Sequence, residues 1–99
     1  MERGGSIYIL TNRNKTTLYI GVTSNLMGRL YEHQNNVYPK SFTARYSLYY
    51  LIYYENFFSI NEAILREKEL KGWSRKKKET LIYSLNPTWE DLSEEVRNW

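Results

Sequence analysis

Two β-prone stretches separated by a polar one near the start of the chain predict a β-hairpin. The β-prone runs at residues 5–10 and 16–20 flank a polar turn and bring Tyr8 and Tyr19 onto neighbouring strands. Gly21 follows the second run, and its lack of a side chain suits a turn out of that strand.

A helix is predicted directly after the hairpin, over about residues 25–35. Thr23 or Ser24 is expected to cap its start, because either hydroxyl can accept a backbone N–H. Arg29 and His33 are one helical turn apart and border the apolar stripe of this helix. A polar pair at the border of a buried stripe indicates a cleft.

Two contrasting segments follow the first helix. Residues 37–47 show little periodicity and are interpreted as an irregular loop that faces the substrate. Residues 48–54 are almost continuously apolar or aromatic, which is typical of a strand covered on both faces. This run is predicted to be the central strand.

A second helix is predicted over residues 60–72, because Ser59 and Glu62 have the spacing of a capping box. Its apolar stripe consists of Ile60, Ala63, Ile64 and Leu70. Glu67 lies within that stripe, where an unpaired carboxylate would be costly to bury. Glu67 therefore either pairs with a cation such as Lys71 or belongs to a functional site.

A third helix is expected between a cap at Ser74 and the stop signal at Asn86 and Pro87. Its first turn is basic and contains Arg75, Lys76, Lys77 and Lys78. The helix dipole disfavours cations there, so the run either meets phosphates or forms a solvated face. Residues 88–99 are predicted to be a short acidic helix or a tail.

These elements give the order β-β-α-β-α-α, which predicts an α+β fold with a three-stranded antiparallel sheet flanked by helices. The 99 residues suit one domain, with residues 1–87 as its body and 88–99 as its acidic end. Cysteine is absent, no apolar run is long enough for a membrane span, and the polar start lacks a signal-peptide core. These features predict a cytoplasmic protein.

The net charge of +3 is unevenly distributed. Residues 87–99 hold four carboxylates and one arginine, a net −3, so residues 1–86 carry +6. Such an excess favours a polyanionic partner, whose binding would depend on salt. The cations predicted to contact nucleic acid are Lys40, Arg45, Arg75, Lys76, Lys77 and Lys78.

Six positions together resemble the GIY-YIG nuclease superfamily, most closely its short stand-alone bacterial members and the nuclease domain of the excision-repair incision subunit. The matching positions are Ser6-Ile7-Tyr8, Tyr19-Ile20-Gly21, Arg29, His33, Glu67 and Asn86. Two positions depart from the pattern: Ser6 replaces the first glycine, and Val22 stands where some relatives place a lysine.

The resemblance implies an endonuclease that nicks one DNA strand, leaving a 5′-phosphate and a 3′-hydroxyl, in DNA repair or recombination. Glu67 would bind one Mg²⁺ or Mn²⁺, Arg29 would neutralise the phosphate, and Tyr19, with Tyr8 sharing its role, would position or activate water. His33 would relay the proton, orient Tyr19 or be structural. Asn86 would orient the phosphate or cap the third helix.

The implied partner is DNA, branched or damaged, bound by a monomer that nicks one strand. Cutting both strands would require a transient dimer or a second visit. No small-molecule cofactor or membrane is expected. A second hypothesis is a non-catalytic nucleic-acid-binding module that keeps the nuclease fold. A third is a protein-interaction domain that docks its partner through the acidic end and the exposed Trp89 and Trp99.

Overall fold

Three strands and five helices succeed one another in the computed structural model, which describes residues 4–99. Their bounds are β1 Gly5–Thr11, β2 Leu18–Thr23, α1 Leu26–Gln34, α2 Phe42–Arg45, β3 Tyr50–Phe57, α3 Ile60–Lys71, α4 Arg75–Leu85 and α5 Ser93–Arg97. The predicted α+β class is confirmed. The start of the chain, on which the argument against a signal peptide depends, lies partly outside the described residues. No helix within residues 4–99 is long and apolar enough to cross a membrane.

The sheet is antiparallel throughout and has the order β2-β1-β3. The prediction that the apolar run at residues 48–54 forms the central strand is wrong, because β1 lies between the other two. Helices cover both faces of β3, and this burial explains its apolar sequence although it lies at an edge. The pattern of apolar side chains along a strand shows which of its faces are covered. The order of the strands depends instead on backbone hydrogen bonds to strands that are distant in the sequence.

Each face of the sheet carries its own apolar cluster, because successive side chains of a strand point to opposite faces. On one face, Ile7 and Ile9 lie in a cluster with side chains of α3 and α4, including Ala63, Leu70 and Ile82. On the other face, Tyr8 and Leu10 lie in a cluster with side chains of α1 and α5, including Leu26, Leu30 and Val96. All residues of β1 are buried as a result.

The N-cap of α1 is neither of the two predicted residues, Thr23 and Ser24, but the residue that follows them. Asn25 is its N-cap and accepts the Gly28 N–H at 3.0 Å, while the Thr23 hydroxyl accepts the Asn25 N–H. The expected cap at Ser59 is confirmed, since its hydroxyl accepts N–H bonds at the start of α3. Ser74 likewise caps α4. The predicted extents of these helices are therefore right to within about two residues.

The segment predicted as an irregular loop contains the short helix α2. The Ser41 hydroxyl caps it by accepting the Ala44 N–H at 3.2 Å. Four residues make barely one turn, too few to show a helical period in the sequence.

The acidic end of the chain forms α5 and packs onto the sheet. Val96 is fully buried and Leu92 packs against the same cluster. Trp89 is 8% exposed, so the expectation that it is an exposed docking residue is wrong. Trp99 is half exposed and lies edge-on to the Tyr54 ring, with the ring centres 5.3 Å apart.

Asn86 joins the end of α4 to the outer edge of β3. Its side-chain amide donates to the carbonyls of Ile52, at 3.0 Å, and Glu90, at 2.7 Å, and its side-chain oxygen accepts the Glu90 N–H. Further along the same edge, the Leu51 N–H donates to Asp91 and the Leu51 carbonyl accepts the Leu92 N–H. The C-terminal segment thereby closes this part of the sheet edge.

We expect Asn86→Ala to lower the free energy of unfolding by about 1–3 kcal/mol, because it leaves the buried Ile52 carbonyl without its donor. Urea denaturation measures this loss. The matched control is Asn61→Ala on the exposed side of α3, which should change stability by less than about 0.5 kcal/mol. Equal stability of the two variants would contradict the structural role of Asn86.

Candidate active site

The Tyr8 ring lies directly over Gly21, its cross-strand partner in β2. A β-carbon at Gly21 would lie 2.8 Å from Cε1 of Tyr8, and closer still to Cζ and the hydroxyl oxygen. Gly21 has no positive φ and lies within the strand, so the expectation that it serves a turn is wrong. Its function is to admit the tyrosine ring.

Tyr8, His33 and Thr43 form a hydrogen-bonded chain that links β1, α1 and α2. The Tyr8 hydroxyl is 3.3 Å from Nε2 of His33, and Nδ1 of His33 is 2.9 Å from the Thr43 hydroxyl. Tyr8 and Thr43 are buried, whereas His33 is half-buried. Both ring nitrogens of His33 are therefore engaged, and the orientation of the imidazole is fixed.

Burial sets the protonation states within this chain. Burial is also the main reason that the Tyr8 pKa is raised; the nearby charges of Tyr19, Glu32 and Glu67 add to the rise, and Arg29 opposes it. Burial lowers the His33 pKa, with a further decrease from Arg29. At neutral pH the phenol keeps its proton and the imidazole is uncharged, so one ring nitrogen donates and the other accepts.

A cleft of about 600 Å³ opens between α1 and the segment that leads into α2. Its lining includes Tyr19, Arg29, Glu32, His33, Tyr38 and Lys40. The Arg29 side chain is 41% exposed, and one guanidinium nitrogen lies 3.5 Å from a carboxylate oxygen of Glu32. The predicted pair of Arg29 and His33 therefore lies in a cleft, as the helical spacing indicated.

Tyr19 separates this cleft from a second, smaller one. The Tyr19 ring lies 6.3 Å from the Tyr8 ring and stacks at 6.1 Å on Phe42, an exposed residue of α2. Beyond Tyr19 lies a groove of about 280 Å³, which we call the lysine groove. It is lined by Leu18, Tyr19, Ile20, Phe42, Lys71 and Lys78.

Glu67 projects from α3 as a partly buried carboxylate. Its side chain is 14% exposed, and one oxygen lies 2.8 Å from Nζ of Lys71, the cation expected from the sequence. Its negative charge adds slightly to the rise in the pKa of Tyr8, after burial and the closer charges. No group of three or more metal-ligating side chains occurs within residues 4–99. Glu67 therefore suits only an ion that keeps most of its water ligands.

The predicted nucleic-acid contacts differ in their availability. Arg75 donates to Glu79 and to the carbonyls of Lys15 and Thr16, so it ties the hairpin turn to α4. Lys77 lies 4.2 Å from the centre of the Trp73 ring. Lys76 and Arg45 are exposed, Lys40 is exposed at the cleft, and Lys78 lines the lysine groove.

The Asn86 side chain, predicted to be catalytic or a cap, makes three bonds that stabilise the fold, and it lines neither the cleft nor the lysine groove. Two site residues, Thr43 and Phe42, escaped the sequence analysis because both lie in the segment interpreted as a loop. The Ser41 cap immediately before them was the available signal.

Because Tyr8 is 2% exposed, Gly21→Ala should displace its ring and lower the free energy of unfolding by about 1–3 kcal/mol. Gly72→Ala is the control, since a β-carbon there would meet its nearest neighbour at 3.5 Å. Chemical denaturation of both variants measures the difference. Equal stability would show that the cross-strand contact does not constrain position 21.

Lowering the pH should destabilise the protein through His33. The unfolded imidazole takes up a proton near its ordinary pKa of 6.5, and the folded one does so only at lower pH, so stability rises with pH across that interval. Urea denaturation between about pH 5 and pH 7.5 measures the slope. His33→Gln, which removes the only histidine, should flatten it. An unchanged slope in the variant would contradict the lowered pKa.

Comparison with known proteins shows similarity along nearly the whole chain. A UPF0213 protein of Bacillus pumilus is 30% identical over 97 residues, covering 98% of each chain. One of Natronomonas pharaonis is 37% identical over 76 residues, covering 77% of this chain and 87% of its own. The solution NMR structure of a UPF0213 protein from Bacillus halodurans has a TM-score of 0.58 at 26% identity, covering 92% of this chain and 95% of its own.

A family comparison covers the strands, α1, α2, α3 and half of α4. Residues 4–80 match the model of the GIY-YIG catalytic domain. This range contains the Tyr8 and Tyr19 pair, Arg29, His33 and Glu67. Tyr19, Arg29 and His33 line the cleft, Tyr8 lies behind them against His33, and Glu67 lies outside the cleft lining, paired with Lys71 of the lysine groove. The chain belongs to the GIY-YIG family.

Proposed function

We propose that this protein is a divalent-metal-dependent DNA endonuclease that nicks one strand and leaves a 5′-phosphate and a 3′-hydroxyl. Membership of the GIY-YIG family implies an endonuclease-type function on nucleic acid. The observation that carries the proposal is the meeting of Tyr19, Arg29 and His33 in one cleft. A partly buried carboxylate, Glu67, lies on α3, paired with Lys71 of the adjoining lysine groove.

Arg29 supplies the positive charge that phosphodiester hydrolysis requires. Negative charge builds on the non-bridging oxygens as water attacks phosphorus, and a guanidinium matches two of these oxygens with parallel N–H donors. Glu32 orients Arg29 from the following helical turn without covering it, since the Arg29 side chain remains 41% exposed. Arg29 therefore binds the scissile phosphate.

Tyr19 is the tyrosine placed to contact the attacking water. It lines both the cleft and the lysine groove, whereas Tyr8 is 2% exposed and keeps its proton. The Tyr19 hydroxyl oxygen accepts a hydrogen bond from the water and directs its lone pair at phosphorus. As the water oxygen bonds to phosphorus, the bond from phosphorus to the 3′-oxygen breaks. The water gives up a proton and the 3′-oxygen gains one, so the step leaves no net proton.

Tyr8 and His33 act as positioning residues behind this contact. The imidazole is bonded on one side to Tyr8 and on the other to Thr43, so it holds β1, α1 and α2 in register beneath the cleft. Of the roles predicted for His33, the structural one agrees best with two occupied ring nitrogens, because its bonds are to Tyr8 and Thr43 and not to Tyr19.

Glu67 is the residue proposed to hold the metal ion, one Mg²⁺ or Mn²⁺. When bound, the ion supplies Lewis-acid stabilisation of the phosphoryl oxygens. Only one carboxylate oxygen, Oε2, is bonded to Lys71, so Oε1 remains available for a hydrated ion. Lys71 then neutralises part of the carboxylate charge from the opposite side.

Glu67→Gln should reduce nicking of supercoiled plasmid at least about 100-fold, because loss of Lewis-acid stabilisation costs several kcal/mol of transition-state energy. EDTA should abolish the nicking that Mg²⁺ or Mn²⁺ supports. DNA ligase should reseal the nick, as it requires a 5′-phosphate beside a 3′-hydroxyl.

Glu69→Gln is the matched control on the same helix. Glu69 is paired at 2.8 Å with Arg66, just as Glu67 is paired at 2.8 Å with Lys71, so each variant loses one ion pair. The control should nick like the wild type. Equal nicking by both variants would refute a metal role for Glu67. Salt-sensitive binding without any cleavage would favour the non-catalytic binding module.

A further inference from the structure

The lysine groove lies beside the proposed catalytic cleft, with Tyr19 lining both, and the chemistry described above leaves the groove itself without a ligand. We infer that the groove binds a second phosphodiester group of the same DNA strand, adjacent to the group that is cut. Lys78 and Lys71 are its cationic contacts. This inference rests on the proposed function, since it extends the path of the same substrate.

The geometry supports a continuous path for a strand. Tyr19 lines both the cleft and the lysine groove, so a strand whose scissile phosphate meets Arg29 passes over Tyr19 into the groove. Phe42, which is half exposed and stacked on Tyr19, forms the apolar wall of this passage. The groove therefore continues the cleft.

The charge of the groove matches a phosphate. Its lining contains the two lysines Lys71 and Lys78 and no carboxylate. Glu67 bonds Lys71 from outside this lining. Lys78 belongs to no ion pair within residues 4–99. A phosphodiester oxygen could accept hydrogen bonds from both lysine ammonium groups without displacing a protein contact.

The basic run of α4 also points to Lys78 in particular. Arg75 is committed to Glu79 and two carbonyls, and Lys77 covers the Trp73 ring. Lys78 is partly buried and directed into the groove, although the dipole disfavours cations in the first turn of α4. A bound phosphate offsets that unfavourable placement.

The test is equilibrium binding of a fluorescein-labelled DNA duplex, measured by anisotropy at several salt concentrations in EDTA. Lys78→Gln should weaken binding about two- to fivefold. It should also reduce the slope of log affinity against log salt by about 0.9, the value for one lost phosphate contact. Lys78→Arg, which keeps the charge, should retain the wild-type slope.

Lys68→Gln is the matched control, since Lys68 is exposed on α3 and does not line the groove. Its slope should equal that of the wild type. The inference is overturned if Lys78→Gln keeps the wild-type slope, if both glutamine variants lose slope equally, or if the wild type does not bind the duplex.

This experiment is independent of catalysis, because EDTA removes the metal ion. A slope change specific to Lys78 would stand even if no nicking were found, and in that case only the catalytic proposal would fail. Conversely, nicking by the wild type together with an unchanged salt slope for Lys78→Gln would support the endonuclease proposal and refute the phosphate site in the groove. Unfolding curves for each variant identify loss of fold, and Lys78→Arg decides the question if Lys78→Gln is unfolded.

Discussion

The contact of the Tyr8 ring with the bare α-carbon of Gly21 is the constraint on which the site depends. It lets a large side chain lie flat across the hairpin and carry its hydroxyl to His33, the first link to α1. His33 in turn reaches Thr43 of α2. One missing β-carbon therefore allows three elements to close beneath the cleft, and the same burial keeps the Tyr8 phenol protonated.

Local signals in the sequence were sufficient for the hairpin and the longer helices. Capping serines, apolar stripes and stop residues determine where α3 and α4 begin and end, because each acts within a few residues. The order of the strands in the sheet could not be predicted from such local signals. The run around Ile52 is apolar because helices cover both of its faces, and nothing in that pattern reveals that Asn86, more than 30 residues later, bonds its outer edge.

The candidate site could likewise be predicted from the sequence only in part. Helical spacing placed Arg29 and His33 together, and the interruption of an apolar stripe identified Glu67 and its partner Lys71. Charge alone could not separate Arg75, which fastens the hairpin turn to α4, from Lys78, which faces the groove. That distinction arises from contacts across some 60 residues of chain.

The bonds that cover the outer edge of β3 affect which fragment of the chain would remain monomeric when separated from the rest. The region matching the GIY-YIG catalytic domain ends at residue 80, before the segment that bonds the backbone of Leu51 and Ile52. A chain cut at that boundary would present unpaired strand groups flanked by apolar side chains, a template for pairing with other molecules. The acidic segment, residues 88–99, therefore protects the edge of β3 from pairing with other molecules, in addition to contributing helix α5 to the fold.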